Sequence, residues 1–165
     1  MSQVATSQPP IRHSLVPCTP NNKEVMRILV NHCFPITYKE EFYDRVARMY
    51  AEHTRFITLN DIIVGGVSCR VETEDETATP FLHVLILLVL EKYRRLGLAG
   101  IMLDWVLSAA RKSEPKLAYV SLHVQKINQA AVNFYLKKGF QIMEEVPDYY
   151  TEIEGPDALF MKLML

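Results

Sequence analysis

Residues 91–100 read "EKYRRLGLAG", directly after "FLHVLILLVL" over residues 81–90. The earlier ten contain one residue, His83, that is not an aliphatic or aromatic hydrophobe. The later ten turn basic, with Lys92, Arg94 and Arg95 around Tyr93, and then small, with Gly97, Ala99 and Gly100. A short apolar run bounded by turn residues suits a buried strand, and a helix is expected to follow from about Leu98 to Arg111. The loop between them would expose the helix's first unpaired N–H groups and the positive end of its dipole. Glycine and alanine let an anion approach that backbone, and arginine adds bidentate pairing. Residues 94–100 hold all of these, which makes them a candidate phosphate cradle. The alternative is a solvated basic turn that caps the strand.

Upstream, "RFITLN" (55–60) and "IIVGGVSCRVE" (62–72) are strand-like and meet at Asn60-Asp61, so a hairpin is expected. "ETEDETATP" (72–80) reads as a solvated acidic loop. Before the hairpin, one helix is expected to open at Thr19-Pro20, carry Val25, Met26, Leu29 and Val30, and stop before Pro35. A second is expected over "KEEFYDRVARMYAEH" (39–53), through Phe42, Val46, Met49 and Tyr50. "IRHSLVP" (11–17) reads as an edge strand, and residues 1–10, with their double proline, as a flexible tail. One domain then covers 11–165.

Downstream, "KLAYVSLHVQ" (116–125) alternates Tyr119, Ser121, His123 and Gln125 with Val120, Leu122 and Val124. "NQAAVNFYLKK" (128–138) reads as a helix capped by Asn128 and ended at Gly139. "FQIMEEV" (140–146) and "ALFMKLML" (158–165) read as closing strands. The order argues for one mixed α/β sheet with helices on both faces.

With 165 residues, 22% charged, and a net charge of -1, nothing global points to a nucleic acid or membrane surface. Cys18, Cys33 and Cys69 show neither a metal-ligand spacing nor a disulfide framework. No metal is expected, and the expected setting is the reducing cytoplasm.

Arg94-x-x-Gly97-x-Ala99, between strand and helix, resembles the acetyl-CoA pyrophosphate loop of the GCN5-related N-acetyltransferase (GNAT) superfamily. "NQAAVNFYLKKGFQ" (128–141) resembles the superfamily's second signature. The resemblance implies the GNAT fold, a single mostly antiparallel sheet whose central strands splay, and acetyl-CoA as cofactor. It places Arg94, Arg95, Gly97, Ala99 and Gly100 on the pyrophosphate, Asn128 and Tyr135 near the thioester, and Leu87 and Val89 along the cofactor, with an oxyanion donor near Leu87. Phe134 is read as core packing.

"FPITYKEEFY" (34–43), "IIVGGVSCRV", "YRRLG", "YVSLHVQ", "NFYLKKGF" and "DYYTEIEGPDA" (148–158) are similar to the NatE (San-type) catalytic subunits. That branch implies transfer of an acetyl group to protein N-terminal amines, chiefly methionine followed by an apolar residue. Phe34, Pro35, Ile36 and Tyr38 would form the pocket for the first side chain, Tyr149 and Tyr150 would hold the peptide backbone, and Ile153 would form a wall. His123 matches the catalytic histidine, its alternative being a structural histidine. His83 stands where the branch carries tyrosine, and Leu85 where it carries methionine. His83 is either a replacement base or the mark of a weakened member. The second hypothesis is an adaptor that docks on the NatA complex at the ribosome with little transfer of its own, and a third is acetylation of lysine or small amines.

Overall fold

Asn60 and Asp61 both take positive φ (48° and 68°), which their short polar side chains tolerate. The strands on either side, β2 (Thr54–Leu59) and β3 (Ile62–Thr73), pair as the expected hairpin. The computed structural model describes residues 11–165; the expected tail over 1–10 lies outside them. The other strands are β1 (His13–Pro17), β4 (Pro80–Val89), β5 (Tyr119–Gln125), β6 (Gln141–Val146) and β7 (Ala158–Met164). They form one sheet in the order β1-β2-β3-β4-β5-β7-β6, in which β4 and β5 run parallel and the other neighbours antiparallel.

Helices α1 (Lys23–Cys33) and α2 (Glu40–Arg48) cover one face. There Met26, Leu29, Val30, Tyr43 and Val46 pack on Phe56, Ile86 and Leu88. Helices α3 (Leu98–Arg111) and α4 (Gln129–Lys137) cover the other, with Met102, Leu103, Val106 and Val132 against Ile57, Val67, Leu82 and Leu122. This is the mixed sheet with helices on both faces that the sequence predicts. Three local expectations change. Helix α1 starts at Lys23 because Asn22 Oδ1 accepts the Thr19 N–H at 2.7 Å, so Pro20 sits in a turn ahead of the helix. Helix α2 ends at Arg48, and Ala51–His53 form a separate 3-10 turn. The acidic loop is not merely solvated, since Glu74 accepts from the Tyr119 hydroxyl at 2.5 Å and from Lys162 Nζ at 3.3 Å.

The feature that makes the site is a bulge in β4. Ser68 pairs with Ile86 and Cys69 with Val84, so Leu85 is an extra residue. Val84 therefore packs toward α3, while Leu85 and Ile86 both pack toward α1 and α2. A bulge bends its strand. The β4–β5 ladder accordingly has three pairs, Leu82↔Val120, His83↔Ser121 and Val84↔Leu122, and ends there. Beyond this fork the two strands part, leaving backbone groups on facing edges without a strand partner.

Candidate active site

The cradle forms where β4 runs out. Gly97 caps α3 at φ 78°, and Arg95 is also left-handed at 63°. A Cβ on Gly97 would meet nothing within 4 Å, so the position opens onto free space. That space is a compartment of about 210 Å³ walled by Val89, Tyr93, Arg94, Arg95, Phe134 and the first turn of α3 from Gly97 to Gly100. Arg94 Nε donates to the Val89 carbonyl at 2.9 Å, tying the loop to the end of β4. No acidic residue occupies the first turn of α3. An open helix N-terminus flanked by two guanidinium groups can hold a phosphate.

A larger cavity of about 450 Å³ lies at the fork and shares Val89, Arg94, Ala99 and Phe134 with the cradle. On one side it is bounded by Phe34, Pro35, Ile36 and Tyr38, in the segment between α1 and α2. That segment hangs between helices joined by charge. Lys23 Nζ reaches Glu40 at 2.7 Å and Asp44 at 2.6 Å, and Arg27 holds Glu24 and Glu40 while stacking on the Tyr43 ring. Tyr38 is fixed by stacking on Phe42, with centroids 4.2 Å apart. Leu85, Leu87, Asn128 and Tyr135 line the floor. Asn128 Oδ1 also accepts the Ala131 N–H at 3.2 Å and so caps α4 as expected.

The loop between β6 and β7 supplies the opposite side, with Tyr150 and Ile153. Gln125, on β5, donates from Nε2 to the carbonyls of Glu154 at 2.7 Å and Gly155 at 3.0 Å. Gly155 has φ 71°, a backbone conformation that favours glycine where the loop meets β5, and a Cβ there would also displace the tip of the Ile127 side chain. The tether sets Tyr149 on His123, rings stacked 4.3 Å apart, with Tyr150 edge-on to Tyr149. Burial raises the pKa of both phenols, that of Tyr150 to about 12, so both hydroxyls stay protonated and able to donate. Burial raises Tyr38 in the same way.

His83 and His123 flank the fork. His83 belongs to the middle pair of the β4–β5 ladder, and its Nδ1 is 2.8 Å from Ser121 Oγ. His123 stands one residue beyond the last pair, edge-on to His83 at 5.3 Å between centroids, and lines the larger cavity. Burial lowers the pKa of His83 to about 4, with Glu72 opposing and His123 and Arg70 assisting the shift. Burial lowers His123 too, against the pull of Glu72 and Glu144. Both imidazoles are therefore neutral near pH 7, and each has a lone pair to offer. His123 Nδ1 is buried without a hydrogen-bond partner among the described residues.

Every residue singled out in the sequence lines one of the two compartments except His83 and Tyr149, which touch His123 instead. Phe134 packs against the core as expected and also forms part of the wall of both compartments. Sequence reasoning also missed Cys33 in the cavity wall, Ser121 beside His83, and the Gln125–Gly155 tether. The polar face of the β5 alternation signals Ser121 and Gln125, but nothing local signals their partners.

Residues 23–140 match the model of the Acetyltransferase (GNAT) family. The chain is 37% identical over 140 residues to N-alpha-acetyltransferase 50 of Danio rerio, an alignment that covers 85% of this chain and 81% of that protein. It is 34% identical over 140 residues to the probable N-acetyltransferase san of Drosophila melanogaster, covering 85% and 74%. Its fold superposes on Naa50 of Arabidopsis thaliana in complex with the bisubstrate analogue CoA-Ac-MVNAL, with a TM-score of 0.83, 31% identity and coverage of 93% and 99%.

Proposed function

This chain belongs to the GNAT acetyltransferase family, and from that premise we propose that it is an N-alpha-acetyltransferase that uses acetyl-CoA to acetylate protein N-termini. Methionine followed by an apolar residue is the preferred start. One observation carries the reading: the phosphate cradle and an aromatic and aliphatic acceptor pocket open into each other at the β4–β5 fork, beside a neutral histidine.

The residues fit acetyl-CoA. Gly97 stands at the wall of the cradle with open space beside it, and the fork leaves strand edges free for an amide-bearing chain to lie along. Arg94, Arg95 and the backbone from Gly97 to Gly100 would hold the pyrophosphate, Leu87, Val89, Asn128 and Tyr135 the arm that ends in the thioester. When bound, acetyl-CoA would supply an acyl carbon activated as a thioester, open to attack by an amine and carrying a thiolate as its leaving group.

The chain's own residues do the rest. Phe34, Pro35, Ile36, Tyr38 and Leu85 surround an unbranched apolar first side chain, and Ile153 closes the wall; a flexible, polarisable thioether suits such a pocket. Tyr149 and Tyr150, held as neutral phenols, donate to the peptide's carbonyls and keep its amine over the fork. The amine must be neutral to attack, and with a pKa of about 7.7–8 a sizeable fraction already is. His123 then takes the proton that the nitrogen sheds as the new bond forms. His83 is a weaker base because burial disfavours its cation. With Ser121 at Nδ1 and its ring edge-on to His123, it positions His123.

The test is CoA release, confirmed by peptide mass, on a panel of Met-Leu, Met-Val, Met-Glu and Ser-Glu peptides and one with an internal lysine and a blocked N-terminus. Acetylation concentrated on the Met-apolar peptides is expected; transfer mainly to the lysine or to Ser-Glu overturns the reading. An adaptor has no use for a cradle, an acceptor pocket and a neutral histidine in one groove, and cofactor binding with no transfer to any peptide is the result that would restore it. Cytoplasmic residence and docking on a NatA complex at the ribosome are part of the same proposal, tested by co-sedimentation of tagged protein with ribosomes.

A further inference from the structure

Lys138 follows the last residue of α4, and its Nζ pairs with Asp104 Oδ1 at 2.8 Å. The lysine side chain is 27% exposed and the aspartate 65%. The ammonium lies against the first turn of α3, since a Cβ on Gly100 would come within 3.4 Å of it. Gly100 is not among the residues with positive φ, so what a larger residue would displace here is the end of the lysine. Gly100 and Asp104 stand four apart on α3, as Phe134 and Lys138 do along α4, so each pair shares a helix face. Lys138 thus extends, one turn past Phe134, the wall that the two helices give the cradle.

Two helix dipoles act on this cation in opposite senses: the C-terminal end of α4, where Lys138 sits, favours it, while the first turn of α3, against which its ammonium lies, disfavours it. Arg94 and Arg95 already border that end, and no acidic residue in the first turn offsets them. The carboxylate partner of Lys138, Asp104, lies in the second turn and is itself mostly exposed, so the pair is easily exchanged. A cation parked beside a cradle on a replaceable partner suits a second anion that arrives with the first.

We infer that Lys138 reads the ribose 3′-phosphate of acetyl-CoA, leaving Asp104 to do so. This rests on the reading that the cradle holds acetyl-CoA. Each phosphorus of the pyrophosphate carries about one charge and is met by the cradle's N–H groups and arginines. The 3′-phosphate is a monoester of about −1.5 to −2 charge, and is the stronger competitor for an ammonium.

Calorimetric titration of the full chain with acetyl-CoA and with acetyl-3′-dephospho-CoA tests it. The wild type should bind acetyl-CoA about 10-fold more tightly, the effect of one charge-assisted hydrogen bond. Lys138→Ala should erase that preference while leaving affinity for the dephospho form unchanged. Asp104→Asn, which frees the lysine, should tighten acetyl-CoA binding roughly 2- to 3-fold and the dephospho form not at all. Equal loss of both ligands in Lys138→Ala would assign the lysine to the pyrophosphate or to packing, and equal affinity of the wild type for both would remove the 3′-phosphate contact; either overturns the inference. Failure of the wild type to bind acetyl-CoA would sink the underlying reading, and the inference with it.

Discussion

The two halves of the groove are built in opposite ways. The cradle is one continuous segment, residues 94–100, whose chemistry is mostly backbone: a left-handed glycine, a helix N-terminus and two adjacent arginines. The acceptor half is assembled from four segments, around Phe34–Tyr38, His83–Leu85, Ser121–Gln125 and Tyr149–Gly155, and its chemistry is side chains held by distant partners. A backbone site tolerates most changes except those to its glycines. A site assembled from side chains fails through its tethers as readily as through the residues that touch the substrate. The variants below separate the two halves by which kinetic constant each one moves.

His123→Ala should have the largest effect, because it removes the proton acceptor at the junction of the halves. A fall in kcat of about 10²- to 10⁴-fold is expected, the usual worth of general-base assistance. Acetyl-CoA affinity should be unchanged, since the cradle does not involve the histidine. Steady-state kinetics with calorimetric binding would check this. A variant that keeps wild-type turnover would remove His123 from the mechanism.

Gly97→Val acts on the other half alone. The residue holds φ 78°, where a β-branched side chain costs roughly 1–2 kcal/mol, and it lines the compartment. The KM for acetyl-CoA should rise about 10- to 100-fold, while kcat at saturation and the KM for peptide change little. A change confined to the peptide's KM would break the division of the groove.

Gln125→Ala tests whether the acceptor half depends on its tethers. Its amide donates to the carbonyls of Glu154 and Gly155, which hold the loop that carries Tyr149, Tyr150 and Ile153, and the residue also borders the larger cavity. Loss of both hydrogen bonds should raise the peptide's KM roughly 3- to 30-fold and leave acetyl-CoA binding alone. If the peptide's KM does not move, the loop is held by its own packing.

The same contrast explains what the sequence makes legible. The cradle can be read from seven residues because the strand, turn and helix that form it are consecutive, and the helix bounds Leu98–Arg111 come out as the spacing predicts. The strands and the hairpin at Asn60-Asp61 are legible too, since apolar patterning and turn chemistry mark where they run. The acceptor half becomes visible in the sequence through family resemblance, because its contacts span long separations: Gln125 to Gly155, Glu74 to Tyr119, His83 to Ser121. The β4 bulge at Leu85 leaves no sign in an apolar run, yet it opens the fork. Phe134 shows a related limit: its packing on the core is legible, but the same ring's place in the wall of the groove is not, because an aromatic ring on a helix looks the same in either setting.

The smallest effect expected is the one that probes His83. Burial holds its folded pKa at about 4 against an ordinary 6.5. Between those values the unfolded chain binds a proton that the folded chain refuses, so stability is lost as pH falls through the window and is unaffected above it. His123, shifted in the same direction, adds to the slope. His83→Gln keeps an amide able to bond Ser121 but cannot titrate. Its melting temperature should therefore fall less than the wild type's between pH 7 and pH 5. Parallel curves would mean that His83 charges as freely in the folded chain as in the unfolded one. Its ring would then be open to solvent, and His83 could serve as a base in its own right rather than as the support for His123.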